Sequence, residues 1–574
     1  MADQGPALAR LPGGLAVMAV AAAVRRQLHH EWTGSSLHRA TLTHPRPEGL
    51  AAAPIDRRPH DEQAGLRVMM GDFVFAGSAM HVGPRGDPWD RPSPSRRFAV
   101  ALHRFVWMGD LLTAGPDGAA EGLRLTLEWS RVFGGWNSFA WRPEILERRL
   151  FNLACAVHTI CDKASDAEAG AIALDLARQA RHLLANVEGP ARAAERAAAA
   201  AVAGAALAGK AGERLVEQAC AQLERTLPRT VAPDGGHASR SPQAALELLF
   251  DLLTLDAALM QRGVAPRDEM MRAIDRLAGA VRFFTLGDGG LPDFQGGEES
   301  RAAYVAAARV EDGGGDRPIP SARNGYHRLE GKSLQVVADA APPALGPWSV
   351  TACAQPLAIE VLVGRQRLIV NGGWSPDAVG PPALRVADAA STATLGDLSC
   401  GEPLRGVAAS VLGPRLSGGC RHVDAYRHEA EGGRWLELSH DGWAPRFGLR
   451  HERRLYIDPA TDELRGEDSF TPLTPPDAKG RKFVPFMVRF HLHPDVRVSR
   501  ANDRKSVLLR AEGQETGWWL RNDAIEVEVE PSIYFQQGMP RRTSQVVLRG
   551  QARLDSGARI RWKLAHAEAW PPPR

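Results

Sequence analysis

Cysteine is sparse and unclustered. The six residues, Cys155, Cys161, Cys220, Cys353, Cys400 and Cys420, form no CxxC pair and no other close metal spacing, which excludes a zinc ribbon and a disulfide framework. A surplus of one charge is lacking too, because 70 Lys and Arg stand against 67 Asp and Glu, a net of +3 in 574 residues. No global field draws the chain to nucleic acid, and an anionic partner has to be met by a local cluster. No apolar run reaches the ~20 residues a membrane span needs. Walker loops, GxSxG, HExxH and a GxGxxG with an acidic partner are all missing, which removes nucleotide enzymes, serine hydrolases and zincins from the leading candidates. Tyrosine is scarce: Tyr304, Tyr326, Tyr426, Tyr456 and Tyr534 are the whole supply.

What is present is a globular composition, 44% hydrophobic and 24% charged, in a chain too long for one ordinary core. Residues 1–95 read as an irregular N-terminal segment with a short helix. The apolar stretch at 15–24 is followed by Arg25 and Arg26 and by no clear small-residue cleavage site. Localisation is therefore read as cell envelope or periplasm, with the cytoplasm as the alternative. From 96 to 310 the signal is helical, with periodic apolar faces at 142–159, 167–186, 191–208, 212–227, 244–260 and 267–285. EDGGGDRPIP at 311–320 cannot continue a helix and reads as a linker. Residues 321–574 switch to short β-type runs, among them 334–337, 357–363, 366–370, 435–438, 486–493, 544–548 and 559–564, the pattern of a large antiparallel sandwich. The fold class is thus α+β and multidomain.

The stretch at 231–250, VAPDGGHASRSPQAALELLF, sets His237 and Arg240 in a glycine-hinged loop ahead of a helix with Ser241 as N-cap and Pro242 as its first residue. Backbone N–H groups and the positive helix end converge there, which suits a carboxylate or sulfate; the alternative is a solvated cap with two chance basic residues. Trp136, Phe139 and Trp141, with Arg142 beside them, offer flat faces on which sugar rings could stack, or else anchor the core. His440 and Asp441 read first as a hairpin turn and second as an acid/base pair. His491 and His493 share one strand face without an evident third metal ligand.

Several phrases together are more specific than any one: DGGHASRSP (234–242), LGDGGLPDFQGG (286–297), NGYHRLEG (324–331), GRQRLIVNGG (364–373), SHDGW with RFGLRHERRL (439–455) and FHLHP (490–494). Their order resembles the heparinase II/III family of bacterial polysaccharide lyases, from about residue 65 onward. The resemblance implies an N-terminal incomplete α/α toroid, a C-terminal antiparallel β-sandwich, and an acidic polysaccharide cut by β-elimination at a uronic acid. It assigns His237 and Arg240 to the uronate carboxylate, with Tyr326 as candidate base and a packed strand tyrosine as the alternative. Trp136, Trp141, Arg142, His440 and His493 are the candidate substrate contacts. The family's zinc histidines are replaced here by Thr351, Cys353 and Ala390, and its Asp by Asn371, so no cofactor is expected. The second reading is a non-catalytic glycan-binding or envelope-assembly protein on the same scaffold. Oligomeric state is left open.

Overall fold

The computed structural model describes residues 13–186, 189–310, 319–380, 382–430, 432–473 and 482–567. The linker expected at 311–320 lies mostly outside them.

The helical half follows the apolar periodicity closely. Pro143–Cys161, Asp166–Ala185, Ala193–Ala205, Gly209–Thr230, Pro242–Gln261 and Asp268–Phe284 reproduce the six expected helices to within a few residues at their ends. Ser241 caps Pro242–Gln261 by accepting from Ala244 N, and Ser165 and Glu168 close a capping box on Asp166–Ala185, as side-chain acceptors do for orphaned N–H groups. The alanine run is central rather than low-complexity filler: Ala197 to Ala203 are all fully buried. Small side chains let the neighbouring helices approach closely, and at Gly204 an added Cβ would lie 2.9 Å from Val216 N.

The N-terminal segment is more ordered than its irregular sequence suggests. Gly13–Gly34 is a 22-residue helix, and Asp72–Phe75 pairs with Ser78–His81 as a hairpin. The long helix places Ala19 and Ala22 against Leu404, Ala408 and Leu412 of the β half, so it bridges the two halves. No helix among the described residues is long and apolar enough to cross a membrane.

The described β half has two large antiparallel sheets, one of eight strands and one of nine, closing a core that includes Leu436, Leu455, Phe470, Phe486, Phe490 and Trp562, and a small ribbon in which Gly401–Pro403 pairs with Leu416–Gly418. The other face of the nine-stranded sheet packs on the helices, since Tyr326, Val337, Ala358, Leu362 and Ala390 belong to the helical core. That double coverage explains why Leu334–Asp339 is buried at every position and reads as a continuous apolar run rather than an alternating one.

Candidate functional site

His237, Arg240 and Tyr326 are brought together, but inside the junction of the two halves and not on an open cleft. The 234–242 loop belongs to the toroid and Asn324, Gly325 and Asp339 to the sandwich. Asp234 Oδ2 accepts from Asn324 N at 2.5 Å, and Asn324 Nδ2 donates to His237 O at 3.2 Å. Gly235, at φ +96°, holds the loop so close to the helix Asp268–Phe284 that a Cβ there would sit 2.0 Å from Arg276 O, a conformation glycine alone adopts without cost.

Arg240 is the centre of the knot. Nε donates to Asn324 O (3.3 Å), one terminal nitrogen to Ala341 O (3.0 Å) and Pro342 O (2.9 Å), and the other to Gly325 O (3.1 Å) and Asp339 Oδ1 (2.5 Å). A guanidinium has five N–H donors, and every one is used. Arg240 also stands at φ +63°, a strained region for a residue with a Cβ, held by this set of bonds. The expected role of Arg240 as uronate partner is therefore corrected: its charge meets Asp339 and four carbonyls. Tyr326 is fully buried under the same guanidinium, 4.6 Å from ring to Cζ, and its hydroxyl donates to Arg240 O at 2.8 Å. Burial pushes the phenol well above its usual range, so the packed strand tyrosine is what the geometry supports, and the base role is not.

His237 is buried and its Nδ1 is engaged by Ser239 Oγ (2.7 Å) and Ser239 N (3.1 Å). Its Nε2 faces Glu195, 3.6 Å away. Burial alone would raise the Glu195 carboxyl, but Arg192 and His237 outweigh it and hold it below the usual carboxylate range. Glu195 begins a chain of ion pairs through the toroid whose carboxylates are buried: exposed Arg192 with Glu195 and Glu147, Glu147 with Arg148, Arg148 with Asp251, and Asp251 with Arg58 at 2.8 Å. The position an anionic ligand group would take beside His237 is filled by the protein's own carboxylate.

A second knot uses LGDGGLPDFQGG. Asp288 and Asp293 grip Arg367 of the sandwich at 2.6 and 3.2 Å, and Tyr534 donates to Asp293 Oδ2 at 2.8 Å. Burial and the neighbouring Glu360 push the Asp293 carboxyl well above its usual range.

At the positions that the resemblance assigns to metal ligands, the residues present do not fit a zinc. Ala390 has no ligating atom on its side chain, Asn371 donates from Nδ2 to Glu360 Oε1 while its Oδ1 accepts from Ser391 N, and Cys353 directs its thiol at Thr351 O while burial raises its pKa. The space between Asp293, Cys353, Asn371 and Ala389 amounts to 10 Å³, about the volume one water needs. Among the described residues no group of three His, Cys, Asp or Glu is placed to hold a metal.

His440 and His493 are not together with the aromatic candidates. His440 lies in the sandwich core, its Nε2 3.2 Å from His451 Nδ1, and His451 reaches Asp468 at 2.8 Å. This replaces its expected substrate contact with a buried relay. His493 sits at the junction of the halves, 3.4 Å from Glu299 of the helical half and edge-on to Tyr534. Trp136, Trp141 and Arg142, by contrast, do meet. With Arg26, His29, His30 and His182 they line a recess of 150 Å³ under the Gly13–Gly34 helix. Among the described residues no carboxylate lines it, though Arg142 is paired with Glu144 at 2.7 Å. His30 meets Trp136 edge to face at 4.9 Å, and Arg26 donates to Ser410 O across to the sandwich. Glu195, Asp339, His451 and Asp468 were not marked by any spacing in the sequence, since each meets its partner across a turn of tertiary structure.

A helical toroid bolted to a two-sheet antiparallel sandwich is the architecture of the heparinase-type polysaccharide lyases. The crystal structure of heparinase III matches with a TM-score of 0.64 at 14% identity, covering 85% of this chain and 80% of that one. Heparan sulfate lyase HepC from Pedobacter heparinus matches with 0.56 at 14% identity, over 94% and 88%. Residues 316–563 match the family described as Heparinase II/III-like, C-terminal. FtsZ-localized protein C of Caulobacter vibrioides is 51% identical over 577 residues, 99% of this chain and 100% of that protein. The chain belongs to the family of FtsZ-localized protein C, and its residues 316–563 form a Heparinase II/III-like C-terminal domain.

Proposed function

We propose that this chain is a non-catalytic member of the family, a ligand-binding protein that works with the division machinery during envelope assembly. The observation that carries the reading is the complete internal use of the Arg240 guanidinium, seconded by Glu195 in front of His237. β-Elimination needs charge stabilisation at the uronate carboxylate, a base and an acid. Here the cation is spent, the phenol is buried, and the seat of the anion is taken. Likeness to heparinase III at 14% identity supports the fold alone, and fold does not fix chemistry. The place beside the division machinery is supported by the relative whose name puts it with FtsZ and which is 51% identical along the whole chain.

The binding element in this reading is the recess at Trp136, Trp141 and Arg142, where two indoles, Arg26 and three imidazoles gather, with Glu144 on Arg142 at 2.7 Å and no carboxylate among the described lining residues. A carboxylate-bearing sugar of an acidic polysaccharide fits that chemistry. Two experiments test the proposal. A fluorescent fusion should form a band coincident with FtsZ, and a diffuse signal would contradict it. Arg142→Ala and Trp136→Ala should weaken binding of a uronate oligosaccharide, and unchanged affinity would remove the recess from the account.

A further inference from the structure

On the face of the eight-stranded sheet turned away from the sandwich core lies a depression of 770 Å³. Its floor is formed by strands Gly433–His440, Leu449–Asp458, Glu463–Pro472 and Ala558–His566, which are neighbours in the sheet. Strand alternation sends Leu455 and Trp562 into the core and leaves Trp435, Arg454, Tyr456, Arg465 and Arg561 on the outer face. Trp435 and Tyr456 meet edge to face at 4.2 Å, and the Arg465 guanidinium lies 5.6 Å over the Tyr456 ring. The Trp435 indole N–H has no partner among the described residues.

Cations outnumber anions around it. Arg454, Arg465, Arg521, Arg561 and Lys563 line the depression against Glu437, Glu467 and Asp523. The carboxylates are already occupied: Glu467 is shared by Arg561 (3.0 Å), Arg454 (3.4 Å) and Arg559 (3.6 Å), and Asp523 accepts from Arg561 N at 2.7 Å. Glu463 beside the depression pairs with Lys563 and with Arg465 (3.0 Å), so with Arg559 six cations stand against four carboxylates, and what is left over is a surplus of two positive charges and two aromatic rings.

We propose that this depression docks an extended acidic segment of a partner protein, with an aromatic or branched apolar side chain between its carboxylates. Trp, Tyr and Arg are the residues that dominate binding energy at protein interfaces, and they make up most of this face. The floor strands are interior to the sheet and paired on both edges, so the segment lies across them and is held by side chains, not by adding a strand. An acidic sugar is the weaker fit, because its hydroxyls need acceptors and the acceptors here are committed to arginines. The surplus cations steer the segment in and fix its direction. The site is separate from the recess and does not depend on it.

The test uses the full chain and a fluorescein-labelled peptide alternating glutamate with phenylalanine. Fluorescence anisotropy should show saturable binding that weakens with salt. The Arg454→Glu/Arg561→Glu double variant changes two half-exposed side chains, and it should bind about tenfold more weakly or worse. The matching lysine–phenylalanine peptide should bind the double variant and not the parent. Trp435→Ala should also weaken binding, with circular dichroism and Tm confirming that both variants fold. Absence of saturable binding, equal affinity for the double variant, or displacement of the peptide by an equimolar galacturonate oligomer would overturn the proposal.

Discussion

His237 points Nε2 at the Glu195 carboxylate, 3.6 Å away, and both side chains are buried. The histidine that the sequence offers to an outside anion is answered from within. Glu195→Ala is expected to leave His237 and Arg192 without this shared carboxylate and to cost about 3 kcal/mol or more, read as a fall in the urea midpoint. A loss below about 0.5 kcal/mol, the range of surface substitutions, would show that the pair is incidental.

Arg240→Lys keeps a cation beside Asp339 but cannot span the four carbonyls that the guanidinium holds. Stranding buried acceptors costs about 1–3 kcal/mol each. Because these carbonyls belong to the sandwich and Arg240 to the toroid, the expected signature is the splitting of one thermal transition into two. A single transition at the parent Tm would contradict the role of Arg240 as a bolt.

Acid should destabilise the fold before carboxylates titrate. Burial lowers His103 and His182 to about 3 and His491 to about 4. Their folded pKa values lie below the unfolded value of about 6.5, so the unfolded chain binds more protons on acidification. Their contribution is intact above pH ~6.5 and is lost progressively as pH falls toward 4 and 3. Tm should decline across this window, and a flat Tm from pH 7 to pH 4 would refute it.

Zinc should be immaterial to stability. Thr351, Cys353, Asn371 and Ala390 offer no ligand set, and a structural zinc would contribute folding energy outright. Neither EDTA nor added zinc should move the Tm. A rise with zinc would mean that a ligand set forms from residues assigned elsewhere.

The helices at 142–159 and 244–260 were legible because their apolar period and caps are local properties, and the resemblance fixed the order of toroid and sandwich. The N-terminal helix was legible as a short helix but not in its length or packing: Val17, Val20, Val24 and Leu28 face outward, and it packs through Ala19, Ala22, His30 and Thr33, so its sequence carries no apolar stripe aimed at a core. The phrases DGGHASRSP and LGDGGLPDFQGG supply residues that join the two halves, but letters do not say which way a cation faces. Arg240 finds Asp339 across 99 residues and Arg367 finds Asp288 across 79, and only the fold makes those meetings. Trp136, Trp141 and Arg142 gather because they adjoin one another in the chain; the histidines that complete their recess come from two other helices.

The most direct measurement is the ultraviolet absorbance of unsaturated uronate when the purified, folded protein is incubated with a panel of heparan, chondroitin, alginate and pectic substrates. The account predicts no increase on any of them, with and without added zinc, while heparinase III run in parallel on heparan sulfate gives a clear rise. A steady increase that Arg240→Lys or Tyr326→Phe abolishes would contradict it and restore the lyase.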